Sequence, residues 1–255
     1  MATRDEMANS FGAAAAAYEQ GRPDYPVEAV AWLLEPAGAH PRIVDIGAGT
    51  GKLTRVVAEL VAGAGAEGRG AEVIAVDPDA EMLGELRRSL PGIRTLIGTA
   101  EALGLPDESV VVAVLGQAWH WVDPVAGSAE IGRVLKPGGV LGLVWNIRDE
   151  SVPWVARLTE IMKGSNAEQL MADGGPEVAA PFGALTARTW QWERPMTRAA
   201  LSAMVHSRSY VITAEPAERE RIDREIAELF DEIGAVGDAT VPLPYVTHAF
   251  RAVKA

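Results

Sequence analysis

The residues best placed to do chemistry stand in one stretch, Ile43-Val44-Asp45-Ile46-Gly47-Ala48-Gly49-Thr50-Gly51-Lys52-Leu53-Thr54, where a β-branched run passes through three alternating glycines into a helical pattern. Glycine at every second position lets the backbone turn sharply. A ligand can then lie against bare amides, near the positive end of the following helix dipole. The spacing argues against two ligand classes. A dinucleotide fingerprint places its third glycine where Lys52 stands, and a phosphate-binding Walker loop needs glycine at Ile46 and Ser or Thr at Leu53.

A second acid, Asp77, ends the next apolar run, 77 − 51 = 26 residues beyond the last glycine. A carboxylate at such a strand tip can accept hydrogen bonds from both hydroxyls of a ribose. A ribose-bearing ligand without phosphates fits this combination best, and S-adenosylmethionine is the common one. The blander alternative is a tight turn followed by a helix that Asp77 caps. A third group of candidates is Gln117-Ala118-Trp119-His120-Trp121, which follows another apolar run. Open α/β sheets bind their ligands at the carboxyl ends of strands, where this segment would stand.

The elements that must position these residues can be read from hydrophobic patterning. Arg42 to Ile46, Glu72 to Val76, Ile93 to Ile97, Val110 to Leu115 and Val140 to Trp145 read as five strands, continuously apolar and so buried on both faces. Lys52 to Val61, Ala80 to Leu90 and Val125 to Leu135 read as crossover helices. Val61 to Gly70 reads as a mobile connection and Lys136-Pro137-Gly138-Gly139 as the turn that launches the fifth strand.

Before the sheet, the alanine run Ala13 to Ala17 and the segment Val27 to Leu34 read as helices. After it, helices are expected at Pro153 to Met162, Thr197 to His206 and Glu215 to Ile233, the last with an apolar stripe of Ile222, Ile226, Leu229, Phe230 and Ile233. Leu185 to Trp192 and Val241 to Arg251 read as late strands, and residues 164 to 183 as a flexible loop or cap. The expected organisation is an N-terminal helical lid segment at 1–40, a cofactor-binding core at 41–147, and acceptor-cap helices with late strands at 148–255.

Composition narrows the function classes. With 23 Lys and Arg against 35 Asp and Glu the net charge is 23 − 35 = −12, which disfavours duplex nucleic acid and anionic membranes as partners. Cysteine is absent, so disulfides, thiolate nucleophiles and cysteine-ligated metals are excluded, and no metal site is expected. No apolar run approaches the roughly 20 residues of a membrane span, and Met1 to Ser10 does not read as a signal peptide, so a cytoplasmic protein is expected.

Taken together, these motifs resemble a class I S-adenosylmethionine-dependent methyltransferase of the branch that includes ubiquinone-biosynthesis-type and trans-aconitate-type enzymes. The resemblance covers about residues 8 to 147. It rests on Val44 to Gly51, Val76-Asp77-Pro78, Gly98-Thr99-Ala100-Glu101 with Leu105-Pro106-Asp107, and Arg133-Val134-Leu135-Lys136-Pro137-Gly138-Gly139. It implies an α/β, Rossmann-like, seven-stranded and mostly parallel sheet with helices on both faces, an antiparallel last strand and a helical lid over the strand tips. The implied cofactor is S-adenosylmethionine, with S-adenosylhomocysteine as product.

The resemblance also implies residue roles. Gly47, Ala48 and Gly49 would line the methionine end of the cofactor, and Asp45 would orient the loop and approach the ligand amino group. Asp77 would hold the ribose, Pro78 and Met82 would pack on adenine, and Thr99, Ala100 and Glu101 would frame its edge. Gln117 would lie near the methionyl portion. Phe11, Tyr18, Arg22-Pro23 and Tyr25-Pro26 resemble this branch's lid, with Arg22 clamping the cofactor carboxylate and Tyr18 closing over the sulfonium as a second candidate catalytic residue. Thr99 and Val111 stand where many relatives carry acids.

Methyl transfer from a sulfonium is an in-line displacement, so a base is needed only when the acceptor must lose a proton. His120 is the candidate base, against the alternative of a structural histidine bonded to a loop; His40, His206 and His248 have weaker claims. Trp119, Trp121, Trp145 and Trp154 are expected to wall a small apolar or planar acceptor, or else to pack over the sheet edge. Arg148 is expected to pair with Asp149 or Glu150 in its own turn, with an acidic substrate as the sharper alternative. The expected partner is a small-molecule acceptor methylated at oxygen or nitrogen, a carboxylate or an aromatic or apolar metabolite, with no nucleic acid or membrane, in a monomer or homodimer. The competing readings are a methyltransferase acting on protein or RNA, a non-catalytic cofactor-binding module, and a dehydrogenase.

Overall fold

The computed structural model describes residues 22–38, 41–63 and 71–255. The expected alanine-run helix, Phe11, Tyr18 and His40 lie outside the described residues. Seven strands form one mostly parallel sheet in the order β3-β2-β1-β4-β5-β7-β6, with one antiparallel strand. They are β1 (Arg42–Ile46), β2 (Glu72–Asp77), β3 (Arg94–Ile97), β4 (Val110–Gly116), β5 (Leu135–Arg148), β6 (Thr186–Thr197) and β7 (Thr240–Val253). The helices in chain order are α1 (Val27–Leu34), α2 (Lys52–Gly63), α3 (Ala80–Ser89), α4 (Pro124–Val134), α5 (Pro153–Met162), α6 (Asn166–Ala172), α7 (Arg198–His206), α8 (Ser209–Ile212) and α9 (Pro216–Glu232).

Two compact units divide the chain. The larger comprises residues 24–145, 170–190 and 247–255, among those described. Within it β1 lies between β2 and β4, with Val44 opposite Ile74 on one edge and Ala113 on the other, and four of its five residues are buried. Val30, Leu33, Ile43, Val57, Val112 and Val144 form the central packing, all fully buried. Each such side chain contributes roughly 1.5–3 kcal/mol by leaving water. Helix starts are set by side chains: Asp79 accepts from the amides of Glu81 and Met82 at the head of α3, and Asp123 from Val125 and Ala126 at the head of α4, where Pro124 takes the first position.

The smaller unit comprises residues 146–169 and 191–246 together with Arg22 and Pro23. Its core gathers Val155 and Leu158 of α5, Leu201, Met204 and Val205 of α7, and Ile222, Leu229 and Phe230 of α9 around Leu243 and Tyr245. The stripe expected on α9 is therefore the buried face, except that Ile233 is only partly buried and caps the helix.

Three local expectations change. The Lys136-Pro137-Gly138-Gly139 turn lies inside β5 as an excursion, because Leu135 already pairs with Val110 before Val140 pairs with Val112. The stretch 164–183, expected as a loop, contains α6, which Ser165 and Glu168 start through the Ser165 N–H and hydroxyl donating to the Glu168 carboxylate at 2.7 and 3.0 Å. Residues 61–63, expected in a mobile connection, belong to the last turn of α2, and the rest of that connection lies outside the described residues.

Candidate active site

The turn after β1 is organised by two buried carboxylates. Asp45 has no exposed surface; its Oδ2 accepts from Thr54 Oγ1 at 2.6 Å, while its Oδ1 is buried without a hydrogen-bond partner among the described residues. Thr54 can make this contact because side chains in a helix lean toward its N-terminus, which here faces the end of β1. Burial, opposed by the Thr54 bond and reinforced by the charge of Asp77, pushes the Asp45 carboxyl up to about 7.

Asp77 ties the loop to the tip of β2. Its Oδ2 accepts from the Gly49 N–H at 2.8 Å and its Oδ1 from the Asp79 N–H at 2.8 Å. Burial raises this carboxyl above the ordinary aspartate value, against the pull of the two amides. The Gly47 and Ala48 amides also donate to Val76 O, at 2.8 and 3.1 Å. At Gly47, with φ +68°, a Cβ would stand 2.7 Å from Ala118 Cβ, so the loop closes on the segment after β4. At Gly49, with φ +55°, the Cβ direction is open, which leaves room for a ligand beside the bare backbone.

This donor set fits S-adenosylmethionine. The ligand brings a sulfonium and an ammonium, and the loop offers two buried acids, one with an oxygen that has no hydrogen-bond partner among the described residues. A phosphate would meet those same acids and be repelled.

The remaining expected contacts are distributed around this loop or away from it. Met82 and Ala100 are buried, whereas Pro78 and Thr99 are exposed. Thr99 and Ala102 exchange two backbone hydrogen bonds. Glu101 Oε1 accepts from the Asp123 N–H at 3.0 Å, so this side chain supports the start of α4. Gln117 has φ +57°, an uncommon conformation for a residue with a side chain, and its N–H donates to Val144 O at 2.9 Å. Arg22 belongs to the smaller unit, where its charge acts on Arg208.

Around His120 the aromatic residues take separate roles. Trp145, fully buried, donates its indole N–H to His120 Nδ1 at 3.3 Å and meets Phe250 edge-on. Trp119 is buried with its N–H on Glu177 O at 2.9 Å, and Trp121 is half-buried with its ring 4.8 Å from the His120 ring. Trp154 packs on the core of the smaller unit. Because Nδ1 accepts a hydrogen bond, a neutral His120 carries its proton on Nε2.

Two contacts beside this loop were not foreseen, although Tyr25 was expected as part of the lid. Lys52, noted there only as a missing glycine, pairs with Asp24 at 3.0 Å and tethers the entry to α1. Tyr25 packs so closely on the tip of β4 that a Cβ on Gly116 would lie 2.5 Å from its hydroxyl. The glycine at the end of a strand otherwise rich in valine was the available signal.

Known proteins agree with this geometry. The methyltransferase-domain family matches residues 44–143, which run from β1 to β5. An uncharacterized methyltransferase of Mycobacterium tuberculosis is 43% identical over 259 residues, covering 99% of each chain. An uncharacterized methyltransferase-like protein of Schizosaccharomyces pombe is 33% identical over 253 residues, covering 96% of this chain and 95% of its own. Among solved structures, a putative type II methyltransferase from Anaeromyxobacter dehalogenans is 28% identical with a TM-score of 0.64, over 91% of this chain and 97% of the other. The glycine loop with its two acids and the near-complete coverage of these relatives lead to one assignment: the chain belongs to the class I S-adenosylmethionine-dependent methyltransferases.

Proposed function

We propose that this methyltransferase acts on a small-molecule acceptor, at oxygen or nitrogen. The observation that carries the reading is the segment after β4, where Gln117 stands at positive φ, His120 accepts a hydrogen bond from Trp145 and Trp121 lies against its ring. Aromatic walls beside one oriented polar group suit a small apolar or planar compound. The net charge of −12 weighs against a polyanionic substrate such as RNA.

S-adenosylmethionine supplies an electrophilic methyl group: a lone pair on the acceptor forms the new bond to the methyl carbon, the carbon–sulfur pair stays on sulfur, and any acceptor proton is released. The chain's own residues bind, align and exclude water. Asp45 and Asp77 complement the cofactor's positive charge and hold the glycine loop in shape. His120, with its proton on Nε2, orients the acceptor by donating a hydrogen bond; acting as a base would require the ring to give up Trp145 and change tautomer.

Turnover is tested by supplying S-adenosylmethionine with a metabolite filtrate, a protein fraction and an RNA fraction, and following the transferred methyl by mass spectrometry. Label in the filtrate supports the reading; label confined to protein or RNA, or cofactor binding without turnover, overturns it. For His120, Gln keeps a donor and Ala does not. His120→Gln is expected to retain most of kcat while His120→Ala loses about tenfold to a hundredfold, the usual range for one positioned polar group. A parent rate that rises with pH near neutrality and becomes flat in both variants would instead establish His120 as a base.

A further inference from the structure

Trp145 has no exposed surface, and a buried indole N–H needs an acceptor inside the protein. It meets His120 Nδ1 at 3.3 Å. Each ring of this pair is held from another side as well. Trp145 follows the fully buried Leu143 and Val144 in β5, and Phe250 of β7 meets it edge-on, with ring centroids 5.9 Å apart and planes at 78°. Phe250 is itself backed by Gly175, where a Cβ would stand 3.4 Å from its ring. His120 sits in the short helical turn Trp119–Trp121, with the Trp121 ring 4.8 Å away, and the buried Trp119 ties that turn to Glu177 O at 2.9 Å. All these residues belong to the larger unit, as does the glycine loop, which closes on the turn where Gly47 meets Ala118.

An indole N–H only donates, so the nitrogen that receives it must present a lone pair. Neither the Nδ1–H tautomer of His120 nor its imidazolium can keep the bond, and in both the buried indole would lose its partner. That loss biases the neutral tautomers by about tenfold or more, a factor that corresponds to about 1.4 kcal/mol. The lone pair on Nδ1 is thus committed to Trp145, while Nε2 carries hydrogen. A general base needs a lone pair within reach of the proton it removes, and His120 in this state has none to give.

We propose that Trp145 is a positioning residue that locks His120 as an Nε2–H donor and withholds it from proton abstraction, so that the methyl acceptor enters with its nucleophilic lone pair already exposed. Its reacting atom is then a carboxylate oxygen or an unprotonated aromatic-ring nitrogen, and not an aliphatic hydroxyl. In the transfer that lone pair forms the bond to the methyl carbon and the carbon–sulfur pair stays on sulfur, with no proton released. The inference rests on the reading of His120 as the polar group that faces the methyl acceptor, and it narrows that acceptor's class.

The test starts with the parent. In the full chain carrying ¹⁵N-labelled histidine and saturated with S-adenosylhomocysteine, the His120 signal is the one missing from His120→Gln, and long-range proton–nitrogen spectra at alkaline pH report its tautomer. Nδ1 is expected at the shift of a bare ring nitrogen and Nε2 at that of a protonated one; the reverse pattern overturns the proposal. Trp145→Phe keeps a buried aromatic ring without the N–H and is expected to raise the share of the Nδ1–H tautomer about tenfold. An unchanged tautomer removes the role given to Trp145, and the parent spectrum decides alone should this variant not fold. Because Gln carries an amide N–H whatever stands at position 145, Trp145→Phe is expected to lower kcat at least about fivefold in the parent and less than about twofold in the His120→Gln background. Equal losses in both backgrounds would make Trp145 a packing residue only. These rates are read on the acceptor found in the metabolite filtrate, and methylation of an aliphatic hydroxyl there overturns the acceptor class. The spectra need no methyl acceptor, so a filtrate without product sinks the small-molecule reading while Trp145 still stands or falls by the tautomer.

Discussion

Asp77→Ala is expected to weaken S-adenosylmethionine binding at least a hundredfold, equivalent to about 2.7 kcal/mol, without unfolding the protein. The truncation removes the acceptor for two amides at once, Gly49 and Asp79, each bonded at 2.8 Å. An amide that loses its partner in a partly buried setting costs about 1–3 kcal/mol, so the loop would relax away from the shape that receives the ligand. The variant also loses the carboxylate proposed to bind the ribose. The core of β2 does not depend on this side chain, since Val73, Ile74, Ala75 and Val76 are buried by their own packing.

Asp77→Asn separates these contributions. The amide keeps one carbonyl oxygen for one of the two N–H groups and turns an NH2 toward the other, so an intermediate loss is expected. Calorimetric titration of S-adenosylmethionine, with circular dichroism to confirm folding, decides the matter. A folded Ala variant with parental affinity would remove Asp77 from the cofactor site.

How much of this was legible in the sequence depended on whether the signal was local. Strands β1, β2 and β4 were readable because continuous Val and Ile runs bounded by Gly, Asp or Pro have few alternatives. The glycine loop and Asp77 were readable for a related reason: their spacing along the chain fixes where the backbone can turn. Helix α6 was not, since among its seven residues only Ala167 is buried and no apolar stripe marks it. Arg148 was expected to pair with Asp149 or Glu150, the acids next to it in sequence; the fold supplies Glu168 instead. A partner that arrives through tertiary packing leaves no local trace, and the same holds for the hydroxyl that Thr54 brings to Asp45. Tryptophans near strand ends were visible as a cluster, but whether each would be buried, as Trp145 is, or half-buried, as Trp121 is, depended on neighbours from residues 170–190 and 247–255.

Asp45→Asn is expected to make the unliganded protein more stable relative to the parent as pH rises, and to bind the cofactor less well. The parent carboxyl titrates at about 7 in the folded state against an ordinary value of 3.8. A carboxyl raised on folding binds its proton more tightly in the native state. Its contribution is therefore fully present below about pH 3.8 and lost as pH climbs through about 7. The slope within that window approaches about 1.4 kcal/mol per pH unit and flattens as pH passes 7, so the parent loses roughly 2.6 kcal/mol between pH 5 and 8 that the neutral amide does not lose. Urea unfolding at pH 5 and pH 8 should show the variant gaining by that amount; a difference constant across pH would mean that the Asp45 charge is not buried as described.

Cofactor binding runs the other way. A ligand that brings an ammonium and a sulfonium favours the ionised carboxylate, so its affinity for the parent should tighten about tenfold between pH 6 and pH 8 as Asp45 loses its proton. In Asp45→Asn that dependence should flatten and the affinity at pH 8 should fall, because the buried Oδ1 is replaced by a group with no charge to offer. Greater stability with weaker binding in one substitution is the expected signature of a buried charge held for a ligand and not for the fold. A variant that bound as tightly as the parent at pH 8 would leave Asp45 a purely structural residue, bonded to Thr54 and nothing more.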